Sequence, residues 1–483
     1  MLRPWDLQIV LDKAAARPAY VQIVHALIDA IKSGRLEPSR ALPGTRELAE
    51  RVGVNRKTIQ QAYDELVAQG WLTTEPKRGT FVSAALPLGG APAPAPGPRA
   101  AAGFAVARPA PPLGWTPPPP GTLVFDDGAP DTRLMPAALV ARTWRQALLA
   151  AAHHNLLGYG DPRGLPQLRR AVAGMLNADR GLNVTEDNIC ITRGSQMGIW
   201  LAARLLAVPG EAVAFERLSY PPAREAFAAN GAGIVSVALD EQGLIPEALE
   251  ALCRRQRLRA VYVTPHHQFP TTVTLPPERR FRLLSLAGQY GFVIVEDDYD
   301  HEFHFSHRPV LPLASAQDWR QLLYIGSLSK LLSPSLRIGY LVGAAEVIAR
   351  AGAEVMMLDR QGDPVTEAAA ATLMTEGVLK SHARKVLRIY EERRDCLAAA
   401  LTARLGDNVA LVVPQGGLAL WANFAPALDL ASPALAAHGV ALTPGGAFAR
   451  GGLAGQGARL GYGSLDEAEL RLAVERLARG FGL

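Results

Sequence analysis

The feature that most limits how this chain folds is the tract from residue 84 to residue 120, built almost wholly of Pro, Ala and Gly and including APAPAPGPRA, RPAPP and TPPPP. Proline fixes its own φ and offers no amide donor, so such a tract cannot pack as a helix or a central strand. The expectation is a tether over residues 84–121 between two folding units, 1–83 and 122–483. In polyproline II form its 37 residues from 84 to 120 reach roughly 110 Å at about 3.1 Å each, enough to carry a small domain to another subunit. A passive spacer fits the same composition. With 483 residues and 49% hydrophobic content, the chain can support a large core in the second unit. No apolar run approaches membrane-spanning length, and the opening MLRPWDLQIV lacks the apolar segment of a signal peptide. Cys190, Cys253 and Cys396 lie far apart without a CxxC spacing, which argues against a disulfide framework or a zinc site. A reducing cytoplasm is expected.

Before the tether, Tyr20, Ile23, Val24, Leu27, Ile28 and Ile31 recur at helical spacing and stop before Gly34. A second short helix is expected from RELAERVGV, with Thr45 as its N-cap and Gly53 turning the chain. Asn55 can cap a third, RKTIQQAYDELVAQG, whose Ile59, Ala62, Tyr63, Leu66 and Val67 face inward while Arg56, Lys57, Thr58 and Gln61 stay outside. Two helices meeting through a short glycine turn fit a helix-turn-helix. The segments WLTTE and TFVSA, separated by PKRG, fit a hairpin with a basic tip suited to the phosphate backbone. Residues 1–83 hold twelve Lys or Arg against nine Asp or Glu, a net of +3 that a solvated helical surface could equally carry. The pieces AYVQI, SGRLEPSRALPGTRELAERVGVNRKT, AYDELVAQGWL and KRGTFV together resemble the winged helix-turn-helix of the GntR superfamily of bacterial transcription regulators. That resemblance implies Arg46, Asn55, Arg56, Lys57 and Thr58 near the DNA grooves, and Lys77, Arg78 and Gly79 in the wing. Gly44 stands where the family usually has serine.

Beyond the tether, helical stretches alternate with β-branched apolar runs at residues 189–192, 212–216, 234–239, 260–264, 292–296, 322–326 and 337–342. Seven strands with intervening helices predict a mostly parallel α/β sheet, whose ligands gather at the carboxyl ends of the strands. Polar clusters stand at those ends. Gly194, Ser195 and Gln196 open a helix whose free N–H groups suit a phosphate, although such a turn also serves simply as a cap. Tyr220, beside two prolines, can cover an aromatic ring or merely pack a loop. His267 can hydrogen-bond a ring or its phenolic oxygen; no further ligand shares a helical spacing with it, so a structural role is the alternative and no metal is assigned. Asp297 and Tyr299 lie on one side of a strand end, and Asp297, Asp298 and Asp300 keep magnesium as a rival. Finally, Ser327, Ser329, Lys330 and Arg337 combine hydroxyl donors, a guanidinium fork and an amine able to form a Schiff base.

The order of these clusters, with Lys330 standing 33 residues after Asp297, resembles the fold-type I, pyridoxal phosphate (PLP) dependent aminotransferases. Joined to the first unit, and with HQFP and EDDYD as they stand here, the chain resembles the MocR/GabR subfamily of GntR regulators. The resemblance implies an α/β architecture: an amino-terminal winged helix-turn-helix, then a fold-type I domain with a mostly parallel seven-stranded sheet and a smaller carboxyl-terminal α+β subdomain from about residue 385. It further implies that Lys330 carries PLP as an aldimine and that Asp297 pairs with the pyridine nitrogen. Tyr299 and His267 would lie near the ring oxygen, and Tyr220 would stack. Gly194, Ser195, Gln196, Ser327, Ser329 and Arg337 would surround the phosphate. In GARLGYGSL, Arg459 stands where these folds hold an effector carboxylate, and a surface arginine on a strand is its plainer reading. Thr272 replaces a usual glycine and Ala419 a frequent histidine.

The expected function is therefore a PLP-dependent regulator of promoter DNA that senses an amino compound or PLP itself, working as a homodimer with the winged domains possibly swapped. An active aminotransferase carrying an accessory DNA-binding domain is the second reading, and a magnesium-dependent α/β enzyme the third.

Overall fold

A computed structural model describes residues 8–12, 17–76, 78–87, 117–305, 310–316, 319–450 and 456–483. Its contacts divide the chain into two units, Met1–Pro109 and Ala110–Leu483. Most of the predicted tether, and Lys77 of the predicted wing, lie outside the described residues.

In the first unit the helical apolar stripes become α1 (Ala19–Lys32), α2 (Thr45–Val52) and α3 (Arg56–Ala68). Ile23, Leu27, Leu48, Ile59, Tyr63 and Leu66 bury into one core. Val67, predicted inside, is 38% exposed, because it sits at the margin of the Ile59–Tyr63–Leu66 stripe. Gly53 takes the left-handed conformation that ends α2 (φ 73°). The N-cap of α2 is Gly44 rather than Thr45, and no side chain caps it. Thr45 is the first helical residue, and its hydroxyl accepts from Arg56 Nε at 3.3 Å. Asn55 does cap α3, Oδ1 accepting from Lys57 N at 2.8 Å. Two antiparallel strands, β1 (Leu72–Glu75) and β2 (Gly79–Val82), form the hairpin.

The second unit begins with β3 (Leu123–Phe125), followed by β4 (Ile189–Thr192), β5 (Ala212–Glu216), β6 (Gly233–Val237), a small hairpin β7 (Leu239–Asp240) and β8 (Gly243–Leu244), then β9 (Leu258–Val263), β10 (Val293–Asp298), β11 (Leu322–Ser327) and β12 (Gly339–Val342). Seven of these form one sheet in the order β4-β12-β11-β10-β9-β5-β6. Only β12 runs antiparallel, against both β11 and β4. Alternation along the strands explains the layering. Ile294, Leu322 and Tyr324 pack into a core on one face, while their neighbours Val295, Leu323 and Ile325 pack into a second core on the other. The predicted run 337–342 becomes a strand only at Gly339, because Pro334–Leu336 forms a 3-10 turn and Arg337 is left-handed (φ 52°). The run 234–239 ends at Val237, and Leu239 belongs to the separate hairpin.

A second sheet contains β13 (Val409–Val412), β14 (Ala419–Phe424), β15 (Val440–Pro444) and β16 (Gly457–Gly461), and it takes β3 as a parallel edge partner of β15. The helices Val378–Leu405 and Glu467–Gly480 cover it, burying Leu397, Leu401, Leu470 and Leu477 with Phe125, Leu420 and Leu460. Among the described residues, no helix is long and apolar enough to cross a membrane.

Candidate functional site

The carboxyl ends of β4, β11 and β10 and the amino end of the antiparallel β12 converge through register. Gly339 pairs with Thr192 on one side and Ser327 on the other, and one step along, Gly326 pairs with Asp298. This brings the helix Ser195–Leu206, whose N-cap is Gly194, beside Ser327 and Arg337. A Cβ on Gly194 would meet the Arg337 guanidinium at 2.8 Å, and one on Gly339 would lie 2.9 Å from Ser195 N. Only glycine at both positions lets the guanidinium and the helix start approach this closely. Arg337 Nη2 donates to Arg193 O at 2.7 Å. Ser327 Oγ accepts from Ser329 N at 3.0 Å, while Ser329 Oγ and Gln196 Oε1 are buried without a partner. A helix start, a guanidinium and two hydroxyls together make an anion cradle.

Asp297 sits at the end of β10, 4% exposed. Its Oδ2 accepts from Tyr262 at 2.5 Å, and its Oδ1, also buried, has no partner. Burial pushes this carboxyl up to about 7, against the lowering hydrogen bond from Tyr262, with Asp298 and Asp300 adding to the rise. Lys330 Nζ donates to Gly128 O at 2.8 Å. Gly128 belongs to a tight turn in which Asp126 Oδ1 accepts from Gly128 N (2.8 Å) and Ala129 N (2.7 Å). The same turn meets Arg459, whose Nε donates to Asp127 O at 2.9 Å. Arg459 is 2% exposed, and its other donors go to Pro270 O (3.1 Å) and the Tyr299 hydroxyl (3.3 Å). Among the described residues no carboxylate forms an ion pair with it.

Tyr220 caps the start of the helix Pro221–Ala229, its ring edge-on to Phe269 with centroids 5.2 Å apart. Phe269 also packs edge-on to Tyr299 and Phe448, and Arg459 Cζ lies 4.8 Å above its ring. Tyr299 donates to the main-chain carbonyl of His267 at 2.9 Å. The imidazole of His267 is directed elsewhere, with Nδ1 2.8 Å from Asp300 Oδ1. Tyr262, Phe269 and the 126–129 turn are the residues that sequence reasoning missed. The three aspartates proposed as a magnesium set address different partners: Asp297 meets Tyr262, Asp298 meets His301 and Tyr324, and Asp300 meets His267.

These residues fit PLP. Asp297 offers a buried, unpartnered oxygen for a ring nitrogen, Lys330 an amine, and the Gly194–Arg337 cradle an anion site.

In the first unit, Arg46, Asn55, Arg56 and Lys57 are exposed and Thr58 is partly buried at the start of α3. Arg78, exposed, pairs with Glu75 and lies over Phe81, and Gly79 opens β2 at φ 115°.

The family described as bacterial regulatory proteins, gntR family, matches residues 19–82, and aminotransferase class I and II matches residues 125–477. The probable rhizopine catabolism regulatory protein MocR of Rhizobium meliloti is 30% identical, covering 98% of this chain and 96% of its own. TauR of Rhodobacter capsulatus is 32% identical over 93% of this chain and 94% of its own. PdxR of Corynebacterium glutamicum, a pyridoxine biosynthesis regulator, is 28% identical over 99% of both. Among solved structures, the α-aminoadipate aminotransferase LysN of Thermus thermophilus matches with a TM-score of 0.70 and 28% identity, over 75% of this chain and 92% of that one.

Fold and site thus define a DNA-binding winged helix fused to an aminotransferase-like, PLP-binding domain. The chain belongs to the MocR/GabR subfamily of GntR transcription regulators.

Proposed function

We propose that this regulator senses a small amino compound bearing an acidic group, and that the compound's binding changes the affinity of the winged helix for its promoter. The observation that carries this reading is Arg459, a buried guanidinium whose hydrogen-bond partners among the described residues are two carbonyls and a phenol. A charge so placed gains most from a bidentate anion. PLP supplies an aldehyde that condenses reversibly with primary amines. Around it, Lys330 provides the covalent anchor, Asp297 holds the ring nitrogen, Tyr299 and Tyr220 border the ring, and the Gly194, Ser195, Gln196, Ser327, Ser329 and Arg337 group holds the phosphate. His267 supports the ring side through its carbonyl bond with Tyr299. Arg459 orients the incoming compound by its acid. A ligand shifts the DNA-binding equilibrium only by its difference in affinity for the two states.

Arg46, Asn55, Arg56, Lys57 and Thr58 form the DNA face, with Arg78, Gly79 and Lys77 in the wing. The working unit is a cytoplasmic homodimer. Exposed Leu148, Leu149, Leu156, Leu157 and Tyr159 support a covered surface in the second unit. A second reading, with PLP itself as the effector, draws on the similarity to PdxR.

A mobility-shift assay on the DNA flanking the coding region, with and without PLP and a panel of amino acids and amino sulfonates, tests both. An amino compound that changes affinity in the wild type but not in Arg459→Gln supports the leading reading. A response to PLP alone supports the second. No sequence-specific binding under any condition would overturn the regulator assignment for this DNA, and sustained turnover of an amino donor with a keto acceptor would favour the aminotransferase.

A further inference from the structure

Four histidines meet where the ends of β9 and β10 turn away from the sheet. His266 and His267 follow β9, and His301 and His304 follow β10. Neighbouring rings have centroids from 4.3 Å (His266 to His304) to 5.6 Å (His267 to His304) apart. His266 and His267 are 2% and 3% exposed, and His301 is 6% exposed.

Two features of this cluster point to a ligand. His266 Nε2 and His304 Nε2 stand 2.6 Å apart, a ring-to-ring hydrogen bond in which one imidazole donates to the other and which a shared ion would replace. His267 is held by Asp300 at Nδ1, which leaves its Nε2 as the coordinating atom, the carboxylate–histidine arrangement that orients metal ligands. One ligand atom from each of His266, His267 and His304 lies within 4.8 Å of the others. Around a tetrahedral ion with bonds of about 2.0–2.1 Å, ligand nitrogens stand about 3.4 Å apart, a spacing that falls between the 2.6 Å of the His266–His304 pair and the 4.8 Å limit of the set. Independently, His266 Nδ1, Asp298 Oδ1 and Asp300 Oδ2 are buried without a hydrogen-bond partner.

We propose that His266, His267 and His304 bind one divalent transition-metal ion of the zinc type, with Asp300 positioning His267. Three imidazoles favour a borderline ion over magnesium or calcium, which take oxygen ligands. The ion's place in the fold gives it a job. His304 bridges to Gly416, Phe305 N donates to Gln415 O at 2.9 Å, and Gly417 N donates to Phe303 O at 2.8 Å. A Cβ on Gly416 would lie 2.8 Å from His267 Nε2. The metal therefore ties the ends of two large-sheet strands at a seam with the turn that leads into β14 of the small sheet. The sequence expectation of no metal rested on helical spacing, whereas these ligands come from two loops that only the parallel pairing of β9 and β10 brings together.

The neighbouring set His266, Asp298 and His301 also has ligand atoms within 4.8 Å of one another, and it is the competing arrangement. Full-length protein, stripped by chelator and dialysed, is titrated with Zn2+ against a chromophoric competitor, and with Co2+ while recording its visible absorption. The expected result is one equivalent per chain, an intense tetrahedral Co2+ band, at least 100-fold weaker binding in His304→Gln and in His266→Gln, and 10- to 100-fold weaker binding in Asp300→Asn. PLP loading at Lys330, read by its absorption, reports that each variant is folded. Absence of stoichiometric metal in the wild type overturns the proposal. So does binding that survives His304→Gln but is lost in His301→Gln and Asp298→Asn.

Discussion

Tyr262 donates its hydroxyl to one oxygen of Asp297 at 2.5 Å and leaves the other oxygen, equally buried, without a partner. The carboxyl, lifted by burial to about 7, is therefore protonated at mildly acid pH. A group whose folded value is raised contributes stability below its unfolded value, near 4, and loses that contribution as pH rises through the folded value. In cofactor-free protein the loss reaches up to about 4 kcal/mol. Denaturant unfolding at pH 5 and pH 8 should show Asp297→Asn gaining on the wild type as pH rises. Adding PLP should reverse the order at pH 8, because only the wild type offers a carboxylate to the ring nitrogen. A pH-independent difference between the two proteins would mean that Asp297 is ionised throughout.

Gly194→Ala should empty the anion cradle without unfolding the domain. Its new methyl would meet the mobile end of Arg337 at 2.8 Å, so the guanidinium moves rather than the backbone. PLP affinity should fall at least tenfold, measured by cofactor fluorescence. Gly210→Ala carries a similar left-handed penalty (φ 86°) in open space and should leave PLP binding unchanged.

Thr272 is a β-branched residue held at φ 65°, with its hydroxyl buried and unpartnered. Left-handed backbone of this kind costs about 1–3 kcal/mol, partly offset by the extra unfolded-state freedom of glycine. Thr272→Gly should therefore stabilise the protein by about 1 kcal/mol. Thr272→Ala keeps the strain and should fall between the two in melting temperature. A glycine variant less stable than the alanine one would refute this assignment.

Asn55 caps α3 and is also one of the residues proposed for the DNA face, and one substitution separates the roles. Asn55→Asp keeps an acceptor for Lys57 N, so stability should hold, but it adds a negative charge near the phosphates and should weaken DNA binding at least tenfold. Lys57→Ala should lower the salt dependence of binding by about one phosphate contact.

Much of this architecture was legible because its signals are local. Apolar β-branched runs marked all seven strands of the large sheet, and residues that follow several of them gather in the candidate site. Strand limits were less legible where backbone conformation intervenes, as at Arg337, whose left-handed turn delays β12 to Gly339. In the loop after β9, alternation no longer sorts neighbours, so nothing in HHQFP announces that Phe269 packs against Tyr220 while the His267 ring turns to Asp300. The partners of Lys330 and Arg459 were invisible for another reason. Gly128 and Asp127 stand some 200 and 330 residues earlier, respectively, in a turn that reads as surface until the two sheets meet around it.

That turn lies directly after β3, the parallel edge strand that pairs with β15 in the small sheet. Residues 123–129 thus have two loads on one short beam: pairing with β15 holds one end, and the carbonyls that accept from Lys330 and Arg459 form the other. Any other partner for the Lys330 amine or the Arg459 guanidinium competes with these two carbonyls. A change of partner at Lys330 or Arg459 is therefore felt within a few residues of the edge strand of the small sheet.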